Sequence, residues 1–440
     1  ARTVAWKAAW QGMKTRPLLG YGPENFSIPF DAYYSGGRDH YGFLETWYDR
    51  AHNLILDIGN SVGVTGLIVY FGILGSACVV LFRTRRAAKT RDVRIIALGI
   101  VATLGAYVAQ NLLNFDTTTS FLYFTFLLGF IVFLEHHADH VSKTIEKIPA
   151  SRQSQESNEN HPSSGASRTG AALILIALLL PVLLFSFKKY HFDFLAANYR
   201  FNTAEEFYER KQYALAFEQY EKGLQVNAPP VNPYLRHRFS TALLEYAMAT
   251  KTRQPDLAKK GLRKALALLD ENIAKEFPYF TRDYFYAGVI STLLFETGER
   301  EYEAQAHQYF TKAAERSPRH GGIHLEWAKL YFVAGAYDEG TKKINEALAI
   351  NQQWGELYWF LGIVQLNMKN DAGAERYFEI AQERGYDTKS EESLSQLTSI
   401  YTRMKEYLKA ISVYDELIER KPNNIEYYGA KAALYKKAGD

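Results

Sequence analysis

Apolar and polar positions follow two different patterns along this chain. In the amino-terminal 190 residues the apolar positions run together. Residues 62–82, VGVTGLIVYFGILGSACVVLF, hold no charge over 21 positions. About 20 such residues cross a bilayer core. IIALGIVATLGAYVAQNLL at 95–113 and the shorter SFLYFTFLLGFIVFL at 120–134 read the same way. So does AALILIALLLPVLLFSF at 171–187, whose Pro181 a membrane helix tolerates. Spans are expected over about 54–82, 94–113 and 120–136, with a further transmembrane helix over 171–188. The plain alternative is a set of buried helices in a water-soluble core.

From about residue 197 the pattern becomes helical and repeats every 34 residues or so, the mark of stacked helix–turn–helix units. One unit is 321–354, where Trp327, Ala328 and Tyr331 face across to Ile344 and Ala347. Residues 355–388 repeat it with Leu361, Gly362, Ala374, Phe378 and Ala381, and 391–424 with Leu397, Tyr401, Ala410 and Tyr414. A further unit opens at 425. Upstream, 197–229 and the looser 281–320 fit, and 231–280 reads as a longer, divergent helix pair. Small residues at fixed places let paired helices approach, aromatics fill the gaps, and Pro318 and Pro422 stop helices. This resembles the tetratricopeptide repeat family over roughly 240 residues. The resemblance implies a curved solenoid with a groove for a protein or extended ligand; a rigid spacer is the alternative.

Charge sets the expected orientation. RTRRAAKTRD, between the first two spans, carries five basic residues, whereas NFDTTTS, between the second and third, carries none. Residues 137–170 hold Lys143, Lys147, Arg152 and Arg168. Basic loops stay in the cytoplasm. Residues 83–94 and 137–170 are therefore expected inside, and residues 1–53, 114–119 and everything after 188 outside, although Lys188 and Lys189 run against the rule. The Ser-rich 149–170 reads as a flexible linker. The whole chain of 440 residues carries a net charge of only +3, which gives no case for nucleic acid. Its single cysteine, Cys78, lies within a span and can form neither an internal disulfide nor a zinc site. His307, His320 and His324 lack metal-ligand spacing, so no metal is expected. The start at ARTVAWKAAW and the end at KKAGD suggest a piece of a longer protein, inactive by itself.

The chemistry gathers before the first span. ARTVAWKAAW forms an amphipathic helix with Trp6 and Trp10 four apart, suited to the headgroup level. RPLLGYGPENF is a Pro/Gly-punctuated loop, and TWYDRAHN puts Asp49, Arg50, His52 and Asn53 at the mouth of the span. Arg2 followed by Trp6, then Pro17, Gly20, Gly22 and Phe26, then His52-Asn53, then Gly63 and Gly66, occur in this order. This string resembles the carboxy-terminal part of the O-antigen ligase and polymerase superfamily, over about residues 1–135. These are bacterial membrane glycosyltransferases of the C-type fold, and tetratricopeptide repeats also occur with them.

The resemblance implies transfer of a glycan from an undecaprenyl-diphosphate carrier to a hydroxyl acceptor outside the inner membrane, with no cofactor or metal. A diphosphate leaving group needs cations, and a guanidinium fork suits it. An imidazole titrates near neutral pH and suits a general base. Arg2 and Arg50 are the candidate cations and His52 the candidate base. Asn53, Asp49, Asn114 and Asp116 are candidate substrate-binding groups, Asp49 holding the imidazole if residues 49–52 are helical. His40 and Asn111 are weaker candidates. Snorkelling anchors and helix caps are the bland readings of the same residues, and Gly63 and Gly66 are expected to ease helix packing. The expected architecture is therefore all-α. It comprises a ligase-like membrane domain (1–136), a cytoplasmic linker (137–170), a transmembrane helix (171–188) and an extracytoplasmic repeat domain (190–440). Membrane lipid, the lipid-linked glycan, and a protein or glycan on the repeats are the expected partners. The competing class is a membrane-anchored repeat scaffold with no enzymatic role.

Overall fold

The computed structural model describes residues 2–34, 47–88, 90–114, 117–146, 180–181, 185–228, 231–275 and 280–439, with the side chains of 118, 137–146, 190 and 275 left aside. Every regular element among them is helical. Asp116, His40, the linker beyond residue 146 and most of the fourth expected span lie outside the described residues.

The membrane region is built from α1 (Arg2–Thr15), α2 (Ser27–Tyr33), α3 (Leu54–Ala87), α4 (Arg91–Asn111) and α5 (Thr118–Glu146). Three of these, α3, α4 and Thr119–His136 of α5, are long and apolar enough to cross a membrane. Leu74, Ala77 and Leu81 of α3 meet Ala97, Ile100 and Leu104 of α4 and Phe124, Ile131 and Leu134 of α5. Most other apolar side chains on these helices point outward, as Ile68, Val69 and Phe126 do, which fits a lipid-facing surface. The helix α3 runs beyond the expected 82 through the basic RTRRA turn, and α5 runs ten residues into the expected linker. No Gly or Pro interrupts HHADHVSKTIE after the span, and Pro149 comes only later.

After a π-helical turn at Lys188–Phe192 come the repeat helices. They are α6 (Asp193–Glu209), α7 (Tyr213–Gln225), α8 (Asn232–Thr250), α9 (Pro255–Lys275), α10 (Thr281–Glu296) and α11 (Tyr302–Arg316). Then follow α12 (Gly321–Ala334), α13 (Tyr337–Ile350), α14 (Gly355–Asn367), α15 (Asp371–Glu383), α16 (Glu391–Arg403), α17 (Tyr407–Arg420) and α18 (Ile425–Ala438). The expected long pair at 231–280 is α8 and α9. Ala328, Ile344, Ala347 and Leu361 are buried together, as their spacing requires. Gly340 and Gly362 leave room for the rings of Phe332 and Phe378, which a Cβ would meet at 2.1 and 2.4 Å. Trp327 faces the preceding repeat as well as its own partner helix. It donates to His307 Nδ1 at 2.8 Å and lies under Lys343.

The turns between paired helices recur. Lys211, Gly335, Lys369 and Lys405 each take a left-handed backbone, and the next amide closes back onto the helix. Examples are Ala336 N–H to Tyr331 O, Asn370 N–H to Gln365 O and Glu406 N–H to Tyr401 O, each at 2.9 Å. Gly335, Lys369 and Lys405 thus repeat the same turn once per unit. By compactness the chain forms two units. One comprises Ala1–Tyr33 and Tyr48–Asp283, and the other comprises Tyr34–Trp47 and Tyr284–Asp440.

Candidate functional site

The site is assembled where α1, the start of α3 and the end of α4 converge. Arg2 donates from Nη1 to Leu113 O at 3.0 Å, and Asn53 donates from Nδ2 to Leu112 O at 2.8 Å. Two residues that lie 51 positions apart in sequence thus grip successive carbonyls at the end of α4. Leu112 is the C-cap and Leu113 follows it, where the chain leaves the helix, and a guanidinium there also meets the negative end of the helix dipole. Trp6 Nε1 donates to Ala51 O at 2.8 Å, fixing the segment just before His52. Trp10, by contrast, is exposed, with Lys14 over its ring.

His52 has φ 52°, the left-handed region that a β-substituted residue enters at a cost. Its neighbours hold it there. Asp57 accepts the Ala51 amide on one carboxylate oxygen at 2.7 Å and the Asn53 amide on the other at 3.4 Å. Asn53 in turn caps α3, its Oδ1 accepting the Leu56 amide at 3.1 Å. Asp57 was not among the residues expected from the sequence. Its signal was present as an acid in the first turn after an Asn cap.

A second feature lies one helical segment deeper. At Gly63 (φ 71°, ψ −168°) α3 breaks. The loop 17–22 closes over the break. Tyr21 and Gly22 amides donate to Asn60 O and Ser61 O at 2.6 and 2.9 Å, and the Val64 amide donates to Pro17 O at 2.7 Å. Thr65 Oγ1 adds a bond to Leu18 O at 2.7 Å. The backbone groups freed by the break are thus satisfied by protein, as a membrane-embedded helix requires. A Cβ on Gly63 would lie 2.1 Å from Leu18 O, and one on Gly20 2.3 Å from Asn60 O. Gly63 therefore serves the break and the close loop, rather than the helix packing expected of it. Gly66 faces its own helix, where a Cβ would meet Val62 at 2.0 Å. Asn60, buried and also unanticipated, donates to Ala9 O and Leu56 O, at 3.0 and 2.7 Å, and ties α1 to α3.

The remaining expected residues are spread around this centre. Arg50 pairs with exposed Glu24 at 2.5 Å. Asp49 is exposed, and residues 49–52 are not helical, so the spacing that would have set its carboxylate against the imidazole is absent. The reason is local: α3 begins only at Leu54, after its Asn53 cap. Asn114 is exposed just past α4, and Asn111 is buried at its last turn. Tyr234 of α8 lies in the field of Glu24, Asp49 and Arg50, and burial foremost raises its hydroxyl above the usual range. Among the described residues no group of three His, Cys, Asp or Glu side chains could hold a metal ion.

Residues 1–71 match the family model described as O-antigen ligase. They contain Arg2, His52, Asn53, Asp57 and the broken helix. A curated relative, "BBSome complex member BBS4 homolog" of Drosophila melanogaster, is 24% identical over 169 residues. That match covers 36% of this chain, which spans about a third, 33%, of the relative. Among solved structures, a thermophilic TPR protein from Thermus thermophilus shares 16% identity at a TM-score of 0.31, covering 54% of this chain and 98% of that one. PilF of Pseudomonas aeruginosa shares 16% at 0.32, covering 55% and 99%. The class defined here is a helical protein with three helices long and apolar enough to cross a membrane and a following array of helix pairs. Its membrane part is ligase-like, similar over residues 1–71 to O-antigen ligases.

Proposed function

We propose that this chain carries the outer catalytic face of a membrane glycosyltransferase. Its reaction moves a glycan from undecaprenyl diphosphate to a hydroxyl acceptor outside the bacterial inner membrane, in the manner of an O-antigen ligase, and needs no metal or cofactor. The observation that supports this reading is the meeting of Arg2 and of Asn53, the residue after His52, on adjacent carbonyls at the end of α4, within the stretch similar to O-antigen ligases.

The chemistry follows from those groups. The acceptor oxygen attacks the anomeric carbon and gives its proton to the His52 imidazole. The bond from that carbon to the phosphate oxygen breaks, and its electron pair leaves with the polyprenyl diphosphate. Arg2, exposed beyond its one bond to Leu113, presents its other donors to the developing phosphate charge. Asn53 and Asp57 hold the His52 backbone, and Arg50, Asn114 and Asp116 are further contacts to substrate in this reading. In this reading the turn between α3 and α4, rich in basic residues, lies in the cytoplasm, and the site and the repeats lie outside, where a protein or glycan partner would meet them.

The test is glycan transfer by the full-length protein in cells. His52→Ala and Arg2→Ala are each expected to abolish transfer while the protein still inserts in the membrane. Transfer at the wild-type rate by both variants would overturn the assignment and favour an anchored scaffold.

A further inference from the structure

The helix α1 has two faces. Ala5, Ala8, Ala9 and Gly12 are buried, and a Cβ on Gly12 would lie 2.5 Å from both Asn60 Oδ1 and Pro29 Cβ. That stripe, at i, i+3, i+4 and i+7, turns one side of α1 toward α2 and α3. Lys7, Trp10, Gln11 and Lys14 fall on the opposite side and are exposed. In the loop that follows, Arg16 is exposed, and Leu18 and Leu19 are exposed at 67% and 76%. Lys14 lies over the Trp10 ring at 5.3 Å, and Arg16 over the Tyr21 ring at 4.8 Å. Residues 1–23 carry four cations, Arg2, Lys7, Lys14 and Arg16, and no acid.

Depth decides what covers this outward face. Pro17 O accepts the Val64 amide and Leu18 O accepts the Thr65 hydroxyl, each at 2.7 Å. The two leucines are thereby held level with the start of the uncharged run 62–82. The exposed apolar side chains of α3 continue from there with Val64, Ile68 and Val69. With α3 across a bilayer, Leu18 and Leu19 emerge at the edge of the hydrocarbon. Long cationic side chains just before them, and an indole with one polar edge, suit the headgroup layer above that edge.

We propose that α1 and residues 16–19 form an interfacial lipid anchor. Leu18 and Leu19 enter the acyl chains, and Lys7, Lys14 and Arg16 meet anionic phospholipid headgroups. The anchor holds the loop 17–22, and with it the break at Gly63, at a fixed depth. It rests on α3 crossing a membrane and is independent of the transferase reading.

The test uses the full-length protein in lipid discs of equal phosphatidylglycerol and phosphatidylcholine. A benzophenone photo-crosslinker at position 19 is expected to capture lipid. Capture of a peptide instead, from this chain or a second copy, or capture of nothing, would overturn the proposal. The same probe at exposed position 11, between Lys7 and Lys14, is expected to capture phosphatidylglycerol about fivefold or more over phosphatidylcholine, the scale of one engaged cation. Lys7→Gln, Lys14→Gln and Arg16→Gln together should equalise the two lipids; all three side chains are exposed, so the fold does not depend on them. Equal capture by the wild-type chain, or an unchanged preference in the triple variant, would sink the headgroup contact. If the anchor crosslinks as expected while His52→Ala and Arg2→Ala still transfer glycan, the transferase reading fails and the anchor stands.

Discussion

Replacing Gly63 with alanine puts the local account under the sharpest strain. At φ 71° and ψ −168° this residue occupies a region reserved almost wholly for glycine. A side chain there costs about 1–3 kcal/mol before any contact is counted. The new Cβ would also lie 2.1 Å from Leu18 O and 2.3 Å from Leu18 C, both backbone atoms that cannot rotate away. The loop must then withdraw, which disrupts the bonds Tyr21 N–H to Asn60 O, Gly22 N–H to Ser61 O and Val64 N–H to Pro17 O. At about 0.5–1.5 kcal/mol each, with strain included, the loss is about 3–7 kcal/mol. Gly72 is the control, because a Cβ there meets nothing within 4 Å. Reversible unfolding of the full-length protein in mixed micelles should show a large loss for Gly63→Ala and none for Gly72→Ala. Equal stability of the two variants would refute the claim that the loop 17–22 and the break in α3 are built around this glycine.

Three further outcomes follow from single contacts. Burial pushes His320 down to about 4 from an ordinary 6.5, so the unfolded chain binds the extra proton between those values. Stability of the repeat unit should be flat above pH 6.5 and fall by up to about 3 kcal/mol on acidification to pH 4; His320→Phe should remove that slope in a pH series of unfolding curves. Asp57→Asn presents an amide where the Ala51 and Asn53 amides now find carboxylate oxygens, so kcat for glycan transfer should fall about tenfold or more with KM for the donor little changed. Lys369→Gly relieves a left-handed backbone at φ 60° and should stabilise the array by about 1 kcal/mol, read from chemical denaturation.

Much of the architecture was legible because it rests on spacing. Uncharged runs of bilayer length marked the spans, and Ala328, Ile344, Ala347 and Leu361 recur where packed helix pairs need small or apolar groups. Arg2 and His52-Asn53 were legible through their order along the chain, and the structure brings Arg2 and Asn53 to adjacent carbonyls. What composition did not reveal was backbone geometry. Gly63 resembles a packing glycine in one dimension, and only the loop folded over it shows a helix break. Asp57 and Asn60 looked like polar residues at a span's edge, whereas their work is on amides and carbonyls from distant segments. Asp49 could sit against the imidazole only on a helix over 49–52, and the helix begins two residues after His52.

The most direct measurement is donor binding set beside donor turnover in the full-length protein reconstituted in lipid discs, using a labelled undecaprenyl-diphosphate glycan. Arg2→Ala is expected to weaken binding and abolish release of the carrier diphosphate, while His52→Ala binds as tightly as wild type yet releases none. Undiminished release of carrier diphosphate by both variants would contradict the account.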